Sequence, residues 1–343
     1  MVPHLVPVLG FLWAQVTSRK PGLCVLGLRL LCTQTVADVL APLEIPGLCL
    51  CVLVVYLNGP GGDWSQFRNH LRIATTILTC ICIHIIDTGS LPEGWGKQKV
   101  GGLGIEQDVG LMDLGLGYFI VINSLESRPP HSILLLLGCL RLGICLYYPC
   151  ADHIEYGRLW NAYLTLYCTQ WVAYIINKEC VTSRRVLLSL MLQMTNLLVA
   201  RLPNIYEYSG FIACMTGYVP LGILARLLLL ETPSQIPLSL VVHILGSVSL
   251  LTGLDARLCN PPFTQYIITT CLLCRGLTIG SVHQTRIRSG PIILICNVLT
   301  GLYKLVSTIL SHIVFEGFYL LALIMALHHW SLGPSSSPQL HAH

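Results

Sequence analysis

The sequence predicts an all-α fold, a polytopic integral membrane bundle of about twelve transmembrane helices within a range of roughly ten to thirteen. Three observations carry that expectation. Of the 343 residues, 54% are hydrophobic and only 10% are charged, and mean hydropathy is +0.69. A soluble chain carries about 25% Asp, Glu, Lys and Arg, so an ordinary cytosolic globule is excluded. The apolar residues also fall in runs near the ~20 residues that cross a bilayer, joined by short polar connections. A net charge of +4, from 20 basic and 16 acidic residues, is too small to argue for a nucleic-acid partner.

Along the chain, spans are expected near 71–87, 111–126, 132–148, 159–177, 184–202, 210–230, 236–254, 264–280, 291–310 and 313–329. Residues 1–58 hold one to three more, interrupted by Ser18-Arg19-Lys20-Pro21 and by Pro42 and Pro46. The beginning lacks a basic start and a small-residue cleavage site, so it reads as a retained first span. The longest connection, Asp87 to Leu111, is rich in glycine and charge, and no repeat period emerges. Residues 331–343, with Pro334-Ser335-Ser336-Ser337-Pro338, read as a disordered tail.

Alternating the loops puts nine basic residues on the face of the C-terminal tail: Arg68, Arg72, Arg128, Lys178, Arg184, Arg185, Arg226, Arg286 and Arg288. Five fall opposite, at Lys97, Lys99, Arg158, Arg201 and Arg257, which favours a cytoplasmic tail. The sixteen cysteines sit mostly inside apolar runs and read as small buried hydrophobes. Cys271 and Cys274 have the spacing of a metal knuckle, but no second pair is placed to complete a four-cysteine site.

Ionisable residues at membrane depth are costly and therefore functional candidates. Asp87 closes the apolar run Ile73 to Ile86, which places a carboxylate at the interface where it suits general-base work. It could equally mark a helix end in water. Lys97 follows in a glycine-rich loop, where it is solvated or stabilises an oxyanion or a phosphate. Asp113 is embedded in an apolar helix beside Gly115 and Gly117, small enough to admit another helix or a lipid chain. Glu155 and Tyr156 precede Trp160 and Asn161 at the mouth of the next span, where the aromatic rings also fit an interfacial belt. Asn161, Asn196, Asn260 and Asn297 read as buried amides that bond neighbouring helices. A rival constellation is metal-binding: His84 and Asp87 share a helix face, and Asp152, His153, His243 or His312 would complete a site. No His-Glu-x-x-His pair supports it.

Together these segments resemble the PIG-W-type GPI inositol acyltransferases of the endoplasmic reticulum. The blocks that carry the resemblance run in family order. They are Phe67-Arg68 with Thr79 to Asp87, then Lys97 at the family's interval, Leu111 to Val121, and Arg141-Leu142 before Glu155 to Asn161. Ile205 to Gly222, Arg257 to Phe263 and Cys296 to Leu302 follow, so coverage runs from about residue 65 to 328. The chain departs from the pattern at Leu159, where the family has His, and at Lys97-Gln98-Lys99, where it has Lys-Thr-Glu. Residues 201–204 also differ, and no role of the missing His or Glu is carried over.

The resemblance implies residues 1–330 as one transmembrane acyltransferase domain, with 1–58 poorly matched. It implies transfer of a fatty acyl chain, palmitoyl above all, from acyl-CoA to an inositol hydroxyl of glucosaminyl-phosphatidylinositol in the endoplasmic reticulum membrane. Acyl-CoA is then the co-substrate, with no cofactor and no metal, and the lipid partners are the acceptor and the surrounding bilayer. The family's catalytic Asp–Lys pair maps onto Asp87 and Lys97. Asp113, Glu155, Tyr156, Trp160, Asn161, Arg257, Asn260 and Asn297 are expected in the substrate pocket. Loop alternation puts Asp87–Lys97, Glu155–Asn161 and Arg257–Phe263 on one face, opposite the tail. That suggests a lumenal head-group site, which cytosolic acyl-CoA must reach through the bundle. A non-catalytic lipid transporter or flippase with a polar midplane is the alternative, and behind it an intramembrane metal-dependent hydrolase built on His84 and Asp87.

Overall fold

A computed structural model describes residues 5–17, 19–36, 38–40, 50, 63–88, 100–101, 104–105, 109–126, 128–147, 160–202, 205–230, 254–278, 286–306 and 312–332. The helices among them are α1 (Leu5–Thr17), α2 (Pro21–Leu31), α3 (Trp64–Thr88), α4 (Leu111–Ser124), α5 (Ser132–Tyr147), α6 (Ala162–Glu179), α7 (Thr182–Val199), α8 (Ser209–Leu230), α9 (Pro261–Gly276), α10 (Ser289–Val306) and α11 (His312–His329). A 3-10 turn (Ile205–Tyr208) leads into α8, and a π-turn (Ala213–Tyr218) interrupts it. The only strands among the described residues are two antiparallel pairs, each strand two residues long: β1 (Val100–Gly101) with β2 (Gly104–Ile105), and β3 (Arg286–Ile287) with β4 (Ser331–Leu332).

Nine of the ten expected spans from residue 71 onward coincide with helices, and the tenth, 236–254, lies outside the described residues apart from its last position. The number twelve is not established. Among the described residues, Trp64–Ile86 and Ser209–Leu230 are long and apolar enough to cross a membrane, with mean hydropathy 1.4 and 1.7. A third crossing is added if Pro21–Leu31 and Gln34–Leu40, bent by 65°, form one span. The helices α6 and α7 each have 18 residues but fall short in hydropathy, α6 through Gln170 and its Asn177-Lys178-Glu179 end and α7 through Arg184, Arg185, Gln193 and Asn196.

The chain packs as two compact units. The central unit holds residues 94–272 with 1–2, and the terminal unit holds 3–93 with 273–343, the boundary falling inside α9. In the central unit α8 packs on α4, α6 and α7, and α5 packs on α6. Val219, Ile223 and Leu227 recur every four residues on α8, and this stripe meets Ala173 of α6, with Val172, Ile176, Val186 and Leu192 around it. The outer faces carry exposed apolar side chains: Leu136, Leu140, Ile144 and Leu146 on α5, and Leu187, Met191, Met194 and Leu198 on α7. Water would not tolerate such a surface, whereas lipid tails solvate it.

In the terminal unit α3 packs on α1, α2 and α10, and α11 packs on α2 and α10. Phe11, Leu28, Phe67, Ile77, Ile81, Ile85 and Tyr319 are fully buried there. Gly10 sets the approach of α1: a β-carbon on it would lie 2.9 Å from Leu78 Cδ1 and 3.2 Å from Leu28 Cδ2. Arg29 of α2 pairs with Glu316 of α11 at 2.6 Å, and the Arg275 guanidinium lies 3.6 Å above the Trp64 ring. The Tyr319 hydroxyl donates to the Cys80 carbonyl at 2.6 Å. Tyr319→Phe removes that buried bond while keeping the ring, and lower stability by about 1 kcal/mol in detergent unfolding is the expected result.

Of the cysteines described, Cys24, Cys32, Cys80, Cys82, Cys214, Cys259, Cys271, Cys274 and Cys296 are buried, and all are free thiols. Arg185 and Arg226, counted above among the loop charges, lie within α7 and α8. The Arg226 guanidinium donates to the Ser124 carbonyl at 3.1 Å.

Candidate functional site

The central unit gathers most of the described candidates around the two ends of its helices. At the start of α4 the Asp113 carboxylate accepts from the Gly110 backbone N–H at 2.9 Å, satisfying a donor that the first helical turn leaves open. Its negative charge also opposes the positive end of the helix dipole. One turn on, Gly117 lets α9 approach: a β-carbon there would lie 2.9 Å from Ile267 Cδ1. The small residues of this block therefore admit another helix.

Asn161 is the N-cap of α6. Its Oδ1 accepts from the backbone N–H of Tyr163 and of Leu164, both at 3.1 Å, and its Nδ2 donates to the Gly138 carbonyl of α5 at 3.0 Å. Gly138 itself is pressed on α6, since a β-carbon there would come within 2.7 Å of Leu164 Cδ2. The Trp160 indole donates to Thr165 Oγ1 at 2.8 Å and stands edge-on to Phe211 at 5.4 Å. These bonds lock the entry to α6 against α5 and α8. Asn161→Ala removes a cap and a cross-helix bond, and a loss of about 2 kcal/mol is expected by thermal unfolding.

Arg257 and Asn260 sit together in the turn before α9. Asn260 is 5% exposed; its Oδ1 accepts from the backbone N–H of Asp255 at 3.0 Å and of Phe263 at 3.2 Å, so it caps α9 and closes the turn on itself. Arg257 is half-buried and donates to Ser209 Oγ at 3.4 Å. Asp255, absent from the expected site, is 4% exposed, and its carboxylate accepts from the Leu258 N–H at 3.1 Å. Cys259 adopts φ 49°, a left-handed conformation uncommon outside glycine. The π-turn of α8 closes on this segment: Tyr218 donates to the Ala256 carbonyl at 3.1 Å, and Gly217 lies against Cys259.

The row that faces this turn was not foreseen as a site. The buried residues of α7 are Arg185, Ser189, Gln193 and Asn196, all polar and all on one face. Asn196 Nδ2 donates to the Leu258 carbonyl at 2.7 Å and to Thr216 Oγ1 at 2.9 Å. Gln193 Nε2 donates to Thr264 Oγ1 at 3.0 Å and to the Gly217 carbonyl at 3.4 Å. The Ser189 hydroxyl, Gln193 Oε1 and Asn196 Oδ1 are buried without a partner. Each such group costs about 1–3 kcal/mol when it is sealed from water unpaired. The signal was legible as polar residues at intervals of four and three inside an apolar helix, though only Asn196 was noted, and as a helix-bonding amide.

The other candidates lie elsewhere. Asp87 falls in the last turn of α3, in the terminal unit; its side chain, like Lys97, Glu155 and Tyr156, lies outside the described residues. One turn before it His84 is buried, its ring stacked on Tyr319 at 4.2 Å and tilted against Phe315 at 5.9 Å. Among the described residues no three His, Cys, Asp or Glu side chains group to hold a metal. Asn297 is on the exposed face of α10, and its amide donates to the Ile293 carbonyl of its own helix at 3.0 Å.

A helical bundle that turns apolar side chains outward and lines its interior with amides, hydroxyls and buried charge is a membrane protein. Residues 62–208 match the family model GWT1. This match agrees with the resemblance drawn from the sequence blocks between Phe67 and Asn161. The chain is similar to the GPI-anchored wall transfer protein 1 of Eremothecium gossypii, with 28% identity over 158 residues, 39% of this chain and 32% of that protein. It is also similar to an uncharacterized protein of Arabidopsis thaliana, with 30% identity over 134 residues, 34% of this chain and 30% of that one. The aligned part thus spans about a third of the length of these curated relatives. No solved structure matches the chain. The matched segment contains Asp87, Lys97, Asp113 and Glu155 to Asn161, together with the whole inner row of α7, and it ends before the 255–260 turn and Asn297.

Proposed function

We propose that this protein transfers a fatty acyl chain, palmitoyl by preference, from acyl-CoA to an inositol hydroxyl of glucosaminyl-phosphatidylinositol at the endoplasmic reticulum membrane. The observation that carries the reading is the GWT1 family match, because it covers both Asp87 and Lys97 along with most of the polar blocks. In this mechanism the Asp87 carboxylate takes the proton from the inositol hydroxyl as its oxygen attacks the thioester carbonyl carbon. Lys97 orients Asp87 or stabilises the oxyanion of the tetrahedral intermediate, which collapses with cleavage of the C–S bond. Coenzyme A leaves as the thiol, taking a proton, and the acyl group ends as an inositol ester. The thioester is already activated, so no covalent serine or cysteine intermediate is needed. Glu155, Tyr156 and Arg257 are assigned to the head group, and the C-terminal tail to the cytoplasmic side.

The test is complementation. Cells lacking their own inositol acyltransferase, supplied with this chain, regain GPI-anchored proteins at the surface and accumulate acylated glucosaminyl-phosphatidylinositol. Absence of both, with the protein present in the membrane, contradicts the proposal. The polar inner row of α7 is also what a lipid transporter would use to line its path. A transporter would move the lipid between leaflets while leaving it unacylated, so the acylated product separates the two readings.

A further inference from the structure

Three side chains of the inner row of α7, Ser189, Gln193 and Asn196, carry buried oxygens that accept from nothing. Gln193 and Asn196 have committed their amide nitrogens, each to two acceptors: Gln193 to Thr264 Oγ1 and the Gly217 carbonyl, Asn196 to the Leu258 carbonyl and Thr216 Oγ1. Exchanging amide oxygen and nitrogen would set the oxygens against the Gly217 and Leu258 carbonyls, so Gln193 Oε1 and Asn196 Oδ1 remain as acceptors facing nothing that donates. Ser189, with 0% exposure, adds a hydroxyl oxygen with no partner of either kind. At ~1.5 Å per residue the three positions rise along roughly 10 Å of one helix face.

The wall opposite them carries two unusual backbone conformations. It consists of the π-turn Ala213–Tyr218, the left-handed residue Cys259, and Gly217 pressed against the Cys259 carbonyl. A π-turn holds extra backbone within a helix, and such turns concentrate at functional sites. Strained backbone conformations do the same.

We infer that Ser189, Gln193 and Asn196 form a specificity subsite for the hydroxyl and ammonium donors of a polyol head group. The chemistry selects its occupant. An acyl tail would leave all three oxygens unpaired, and a phosphate or carboxylate would set acceptor against acceptor at Gln193 Oε1 and Asn196 Oδ1. A ring bearing several hydroxyls, or an amino sugar, supplies what the row lacks. The identification of that ring as the inositol–glucosamine head rests on the proposed function; the preference for donors does not.

Ser189→Ala gives the sharpest test, because that hydroxyl makes no bond in the structure. In the full-length protein in lipid nanodiscs, Ser189→Ala is expected to raise KM for glucosaminyl-phosphatidylinositol about three- to tenfold, a change typical of one lost hydrogen bond. Turnover number and the KM for palmitoyl-CoA stay unchanged, and Ser189→Thr restores the acceptor KM. Equilibrium binding reads the same subsite without the reaction. Ser189→Ala should weaken capture of glucosaminyl-phosphatidylinositol and leave capture of phosphatidic acid, an anionic lipid without ring hydroxyls, unaltered. Unchanged constants in every assay would mean that the row holds ordered water or nothing, and would overturn the inference. An equal loss toward both substrates would overturn it as well. If the wild-type protein transfers no acyl group yet binds the glycolipid through Ser189, the proposed function fails and the subsite stands.

Discussion

Asp87→Asn should leave a folded membrane protein that binds glycolipid but acylates it about 10²- to 10⁴-fold more slowly, the range set by loss of a general base. Asparagine keeps the size and shape of the side chain while removing the charge that accepts the proton. Asp87 is in the last turn of α3. Lys97→Ala should cost about 10²- to 10³-fold if the ammonium stabilises the developing oxyanion. The two losses should be less than additive in the double variant, because both groups act on one transition state. Glycolipid binding measured alongside turnover separates these effects from unfolding. Full turnover in both single variants would remove Asp87 and Lys97 from the mechanism.

Gly217→Ala should be the most damaging single methyl group in the central unit. A β-carbon at 217 would lie 2.5 Å from both the β-carbon and the carbonyl oxygen of Cys259, and 2.8 Å from the Leu258 carbonyl. Two of these three atoms are backbone oxygens, which cannot swing aside as a side chain would. The 255–260 turn must therefore move, and it is held by Asn196 on Leu258, by Tyr218 on Ala256 and by Asn260 on Asp255. Overpacking of this kind costs about 1–3 kcal/mol, and breaking one of these buried bonds adds about 1 kcal/mol or more. The expected result is a clear fall in thermal stability in detergent, together with lost activity. Gly290→Ala, where nothing lies within 4 Å, should stay within about 0.5 kcal/mol of wild type as a control.

Apolar runs made most helices of this chain legible, yet they misplaced some ends for identifiable reasons. The span expected from residue 71 begins at Trp64, because Gln66, Arg68, Asn69 and His70 lower the local hydropathy although Phe67, Asn69 and His70 are buried. Residue 159 was taken as the start of a span that begins at Ala162, since Asn161 spends its side chain on capping. The π-turn left no trace in the sequence: Ala213 to Tyr218 reads like any apolar helical stretch, and only its packing against residues 255–260 reveals it.

The candidate site was legible in part. Asn161, Asn260 and Asp113 stand out in the sequence as polar residues beside apolar runs, and each is engaged by helix caps and turns. A pattern search cannot separate such an amide from one that meets a substrate, because both are polar residues beside apolar runs. The inner row of α7 escaped for the opposite reason. Ser189 and Gln193 are ordinary helix-surface residues by type, and only burial shows that this helix faces inward with its polar side. Asp255, two residues before Arg257, reads in the sequence as an ordinary turn carboxylate, and only its burial sets it apart.

The most direct test of the central claim is acyl transfer by the purified chain. Full-length protein reconstituted with glucosaminyl-phosphatidylinositol and palmitoyl-CoA should yield free coenzyme A and a glycolipid heavier by one palmitoyl group, with fragmentation placing the ester on the inositol ring. A glycolipid of unchanged mass, from folded protein that binds it, would contradict the account.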